Sequence, residues 1–314
     1  MPIPLLLGAI GLFGAGKLAG AYVDNDDARK INIEARELAD FAEELMEDAQ
    51  KFTNHALQAL GRKKAYVLNT GVKNFVDIFS QIHNVDFHAI SQDETGKFQL
   101  DQSSFDGLRE LSRMSMAITD VSAGALAAFA AYGAASIAGV PVAGVAASLA
   151  GLATNSTLSF LGGGGLMAGA TSVLGGVIGA PVLAVLGIFV SSSASRNLED
   201  AKSNKAQALQ FAKQIETGVS ICNGIRRVAY MFERLLMRSA PLLRAANESL
   251  RQIISSSGTD YKNFTAEEKK TVAAAASLAK AVKTILDTPI LTEDGKLTPE
   301  SIEAANSVRA ALPA

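Results

Sequence analysis

The sequence predicts an all-α fold: an elongated helical bundle with coiled-coil arms around a central apolar, Gly/Ala-rich helical hairpin. Three observations carry that expectation. Apolar residues recur at helical spacing on both sides of the middle. A run of 75 residues, Val121 to Ser195, has no charged side chain and holds 14 of the chain's 27 glycines. Strand signals are confined to short turn segments, enough for one or two tiny β-hairpins.

Five segments follow in order. Residues 1–23 are apolar and Gly-rich, with Lys17 as the one charge. The cation lies after the apolar stretch Leu5–Gly16, where a secretory signal would carry it before, so we expect a retained segment. Ile10 to Gly16 is similar in composition to viral fusion peptides, which makes Leu12 and Phe13 candidate membrane contacts. Gly11 to Lys17 also matches the G-x-x-x-x-G-K phosphate loop, but Leu18 stands where Ser or Thr would hold Mg²⁺. Nothing else in the chain offers the parallel sheet such a loop needs, so nucleotide binding is the less favoured reading.

Residues 24–120 form the first helical arm. Asp24-Asn25-Asp26-Asp27 is a helix start, with caps and negative charge at the positive end of the dipole. Ile31, Leu38, Leu45, Phe52 and Ala59 repeat every seven residues, and Ala35, Ala42, Ala49 and Ala56 form an alanine seam between them. Gly61 is expected to interrupt this helix. A second helix is expected from Arg62 to about His83, with Val72, Phe75, Val76, Phe79 and Ile82 on its apolar face. Gln92 to Gly96 has turn chemistry. Helix returns near Asp101 and runs on into the neutral region.

Residues 121–195 are the charge-free run. A bilayer core about 30 Å thick takes roughly 20 helical residues to cross. Thr154–Thr157 and Gly162–Gly165 mark a turn, leaving Val121–Ala153 and Leu166–Ser193 as two helices of spanning length. Small residues recur every four positions: Ala127, Ala131, Ala135, Gly139, Ala143, Ala147 and Gly151, then Gly165 with Gly169 and Gly175 with Gly179. Such stripes allow close helix packing in lipid, so these glycines are the candidate insertion residues. The Ala/Gly composition and Pro141 and Pro181 make a weak permanent anchor. We therefore expect conditional insertion.

Residues 196–258 form the second arm, in which Pro241 is expected to bend or divide the helix. Ser255 to Gly258 ends it. Residues 259–314 are a small helical and turn region. Thr265-Ala266-Glu267-Glu268 is a capping box opening a helix through Leu286, and Thr298-Pro299 caps a final short helix.

Residues 1–120 carry 12 Lys/Arg and 18 Asp/Glu, net −6; residues 196–314 carry 17 and 13, net +4. Opposite signs favour pairing of the arms. Arg226, Arg227, Arg234 and Arg238 are candidate contacts for that acidic arm or for anionic lipid. The net charge of −2 argues neither for nor against nucleic acid, but scarce aromatic residues leave few stacking surfaces for single strands, so no nucleic-acid partner is expected. His55, His83 and His88 lack metal-ligand spacing, and Cys222 sits on an apolar helical stripe. No catalytic, cofactor or metal residues are assigned.

Long amphipathic helix, charge-free hairpin, long amphipathic helix: this order over residues 24–255 resembles the α-helical pore-forming toxins of the cytolysin A and haemolysin BL type. The resemblance implies an apolar segment hidden in the soluble form that inserts when the protein oligomerises. Ala153 to Leu158 with Gly162–Gly165 also looks like an uncharacterised bacterial family with a glycine-rich middle, which implies a bacterial source. The expected partners are a lipid membrane and further copies of the chain, and the expected location is the cytoplasm with conditional association with the inner membrane. The alternative is a soluble helical scaffold with the hairpin as permanent core.

Overall fold

A computed structural model describes residues 25–87, 100–119, 121–134, 148, 198–292 and 295–312. Of these, 87% are helical and none lies in a strand, so the chain is all-α. The helices are α1 (Asn25–Val67), α2 (Lys73–Phe79), α3 (Gln102–Thr119), α4 (Ala123–Tyr132), α5 (Leu198–Ser257), α6 (Ala266–Asp287) and α7 (Pro299–Ala311). The chain divides into two compact units. The first holds Met1–Thr53 and Ser159–Asn223, the second Asn54–Leu158 and Gly224–Ala314.

In the first unit the early parts of α1 and α5 lie side by side. Asn204 donates to Asn32 at 2.9 Å, Lys205 pairs with Glu34 at 2.8 Å, and the Thr53 hydroxyl reaches the Cys222 carbonyl at 3.1 Å. Residue numbers rise together along both helices, so they run parallel. The alanine seam is the buried line: Ala35, Ala42 and Ala49 are all buried, as are Ala201, Ala208, Phe211, Ala212 and Ile215 on α5, and Ala56, the next of the series, is buried in the second unit. Methyl side chains let helix backbones approach closely. The bulkier heptad line flanks that seam, and Phe52 ends up 51% exposed.

In the second unit the helix formed by α1 does not stop at Gly61, as the sequence suggested. It continues to Val67, widens into a π-helical turn at Leu68–Val72, and resumes as α2. A π turn misaligns the backbone ladder, so its carbonyls need other donors. Side chains supply them: Thr70 donates to Tyr66 O, Asn74 to Thr70 O, and Asn247 of α5 to Gly71 O at 3.0 Å. Arg244 donates to the Tyr66 hydroxyl one turn earlier, so α5 is again parallel to the first arm.

Within α2 the Phe79 ring meets Phe75 at 5.1 Å between centroids, and it meets Phe105 of α3 at 4.9 Å, both pairs tilted. Asp101 starts α3 by accepting from the Ser104 N–H at 2.6 Å, and that bond holds its carboxyl below the usual range. The helix stops at Thr119 rather than entering the neutral region. A new helix, α4, begins with Ser122 as its cap. It ends at Tyr132, well short of the Ala153 expected from the sequence.

Pro241 lies inside α5 without dividing it. The carbonyl that its missing N–H leaves without its helical donor belongs to Met237. The α5 helix stops at Ser257, and the Thr265–Glu268 capping box opens α6 as expected. An isolated antiparallel bridge, Leu291–Leu297, forms the small turn before α7. The other turn segment, Asp93–Phe98, lies outside the described residues.

Gly61 is required by packing. A Cβ there would lie 2.0 Å from the Leu126 carbonyl oxygen of α4. A backbone carbonyl fixed in a helix cannot swing aside as a side-chain tip can. Alanine gains about 1 kcal/mol over glycine in a helix interior, while overpacking costs about 1–3 kcal/mol or more. Gly61→Ala is therefore expected to lower unfolding free energy by about 1–2 kcal/mol in urea titrations. A stabilised variant would show that α4 does not rest on α1 at this point.

Candidate functional site

Lys64 is completely buried, with no exposed surface. Its neighbours on the helix explain why: Leu57, Leu60, Val67 and Leu68, which flank it at one-turn and two-turn spacing, are themselves fully buried. The helix that carries these leucines inward must carry Lys64 with them. Its ammonium finds three acceptors, Ala130 O at 3.4 Å, Leu286 O at 3.2 Å and Thr288 O at 3.5 Å. It also lies 5.8 Å from the Phe129 ring centroid and 5.7 Å from that of Phe232.

Two helix C-termini meet at this cation. The last carbonyls of a helix lack intrahelical partners and carry the negative end of the dipole. Ala130 belongs to the last turn of α4 and Leu286 to the last turn of α6. One ammonium serves both ends with three donors for three acceptors. The same junction is stitched by backbone bonds from Ile290 N and Leu291 N to Ala131 O, at 2.7 and 2.9 Å. Gly133, with φ +71°, ends α4 against Asp287: a Cβ there would meet the Asp287 carbonyl oxygen at 2.2 Å. Only glycine allows both that backbone and that approach.

The charge balance is uneven. Burial pushes Lys64 down to about 7, while the Asp287 carboxylate pulls it the other way. Asp287 is itself engaged by Lys283 one turn earlier in α6. Desolvating an ammonium costs several kcal/mol. Hydrogen bonds to a charged group return about 1.5–3 kcal/mol each when short. These three are long, so desolvation prevails and the neutral amine becomes accessible near neutral pH.

α4 is thus the part of the charge-free run whose packing is visible. Ala125 to Ala134 are all buried in the second unit. Ala127 and Ala131, the first members of the small-residue stripe, are buried in protein there. The insertion glycines Gly139, Gly151, Gly165, Gly169, Gly175 and Gly179 lie outside the described residues, as do Leu12, Phe13 and the Gly11–Lys17 loop. Arg227, Arg234 and Arg238 project from the exposed side of α5, with Arg226 half-buried. Arg227 and Arg234 meet no carboxylate among the described residues. Lys205–Glu34 is an ion pair that links α1 to α5.

His55 is exposed on α1, and His83 joins a bridge to Asp260. No group of three metal-ligating side chains occurs among the described residues, and no described helix is long and apolar enough to cross a membrane. No family model, curated protein or solved structure matches the chain.

Lys64 carries no motif, and Gly61 has the local propensity of a helix break. A signal was present: a charge bracketed by Leu60 and Leu68, on the face that carries Leu57 and Val67, lies on the apolar side of its own helix.

The titration has a definite sign. Between about pH 7 and lysine's usual 10.5, the unfolded chain holds a proton on this side chain that the folded chain does not. Folding stability therefore rises with pH across that window. The rise from pH 7 to pH 9 is expected to be about 2 kcal/mol larger in the wild type than in Lys64→Met, measured by denaturant unfolding at both pH values. Equal slopes would mean that Lys64 stays charged in the folded protein.

Proposed function

We propose that this chain is a non-enzymatic, membrane-active helical protein. Its charge-free segment, Val121–Ser195, is kept in protein by the helical units and passes into lipid when released, and copies then assemble to permeabilise or remodel the membrane. The observation that carries this reading is the segment itself. Seventy-five residues without a charge exceed what two crossings require. Yet their alanine and glycine side chains gain little from either environment, so small changes in the holding contacts decide where the segment goes.

The packing of α4 supports a conditional hold. Its methyl-rich surface gives limited burial energy, and its end is fastened by polar groups: Lys64, the Ile290 and Leu291 N–H groups, and the close fit at Gly133. A lysine that titrates near neutrality is a fastening sensitive to its surroundings. The same fastening favours a second reading, in which the segment is the permanent core of an interaction scaffold.

Vesicle flotation and dye release separate the two. Full-length protein is compared with a chain in which residues 135–197 are replaced by a Gly/Ser linker, both checked for helix content by circular dichroism. The membrane reading expects the full chain to float and release dye after acid, heat or mild denaturant, and the linker chain to do neither. A full chain that stays off vesicles and releases nothing under all three treatments leaves the scaffold reading standing.

A further inference from the structure

Two exposed faces of the described structure are part apolar and charged with opposite sign. On α1, Glu37, Asp40, Glu44, Glu47 and Asp48 are all exposed and fall at three- and four-residue spacing along one side. Among them Ile33, Phe41 and Phe52 are 50%, 39% and 51% exposed. None of the five carboxylates is in an ion pair among the described residues. Glu43, at the edge of this face, is held above the usual carboxylate range, first by partial burial and then by Glu47 and Asp40. Arg36 at the edge of this face and Lys51 within it are also exposed, so the face is net negative rather than wholly acidic.

On α5, Arg227, Arg234, Arg238 and Arg244 are exposed. Between them Tyr230 and Met237 are 47% and 49% exposed. The acidic residue within that span, Glu233, is half-buried to one side. Arg244 bonds the neutral Tyr66 hydroxyl, and Lys63 lies 5.8 Å from the Tyr66 ring, which widens the basic and aromatic surface. At 1.5 Å per residue, Ile33 to Phe52 spans about 28 Å and Arg227 to Arg244 about 26 Å. The two faces match in length and in mixture of side chains, and oppose in charge.

We propose that the acidic face of α1 in one copy docks on the basic face of α5 in a second copy of this chain. Guanidinium groups meet carboxylates, and the exposed aromatic rings of either face meet the arginines or methionine of the other. An anionic lipid surface would neutralise α5 alone and leave the net negative face of α1 unmatched, whereas a second copy satisfies both. Because two different patches meet, each docked copy leaves one of each free. The contact therefore repeats head to tail into a ring or a filament. A single pair of helices of this length buries a small area, so the assembly is reversible and salt-sensitive. The inference deepens the proposed membrane function and rests on it for its purpose, but its test contains no lipid in the deciding arm, so the two can fail separately.

Sedimentation of the full chain over a concentration series, at low salt and at about 0.5 M salt, reads the association. Three variants accompany the wild type: Arg227→Glu with Arg234→Glu, Glu44→Lys with Glu47→Lys, and all four together. Every substituted residue is exposed, so folding is preserved. Each paired reversal is expected to weaken self-association by about tenfold or more. Mixing the two paired variants, or combining all four changes in one chain, restores it. A monomer at every concentration in low salt overturns the proposal, and so does association that neither reversal weakens. Cosedimentation with phosphatidylglycerol vesicles, lost in the arginine variant while the wild type stays monomeric, would assign the basic face to lipid and also overturn it.

Discussion

The Lys64 ammonium joins three carbonyl oxygens from the ends of two helices, and the second unit depends on that junction. Helix C-termini cannot be buried with empty carbonyls at tolerable cost. Here α4 and α6 both end inside protein, within reach of one side chain carried in by the leucines of α1. The position is a compromise. The cation loses its hydration, gains long hydrogen bonds and two ring faces, and settles where its proton is weakly held. A hydrophobic residue there would spare the desolvation and leave the carbonyls unpaired. Gly61 and Gly133 are the steric side of the same junction, each removing a Cβ where a backbone carbonyl must pass.

This explains how an alanine-rich segment is held at all. Leu126 and Phe129 supply the larger apolar contacts of α4, while most of its other buried side chains are methyls. Burial scales with apolar area, about 25 cal/mol per Å², so such a helix is held less firmly by its surface than a leucine-rich one. Directional bonds at its C-terminus carry a larger share. Directional bonds to an ionisable group can be weakened without disturbing the rest of the bundle, which is what a releasable element requires. The alanine seam of the first unit follows another logic: it is long and continuous, and its flanking Phe41 and Phe52 are left to solvent beside carboxylates.

Periodicity made the arms legible, because heptads of apolar residues and the Thr265–Glu268 capping box report local rules that the fold obeys. The parallel sense of α1 and α5 was not legible, since pattern fixes faces and not directions. Gly61 read as a helix break because glycine propensity is a local quantity, whereas its cause is the Leu126 carbonyl, which lies 65 positions further along the chain. The end of α4 at Tyr132 was hidden for the same reason: its stop depends on Asp287 and on Lys64, not on the apolar run that continues past it. Pro241 tempted a division of α5, but the helix runs through it from Leu198 to Ser257. Lys64 itself was readable as a charge on an apolar face, though its partners, being backbone oxygens, have no signature in sequence.

Native-state hydrogen exchange of the α4 amides, Leu126 to Gly133, tests most directly whether Lys64 holds α4. The wild type is compared with Lys64→Met under conditions where both are folded. A hold through Lys64 requires that these amides exchange by a local opening that becomes more frequent in the variant, while the amides of α1 around Leu57 and Leu60 keep their protection. If the α4 amides exchange only with global unfolding in both proteins, α4 is an inseparable part of the core and the lysine does not govern its local opening.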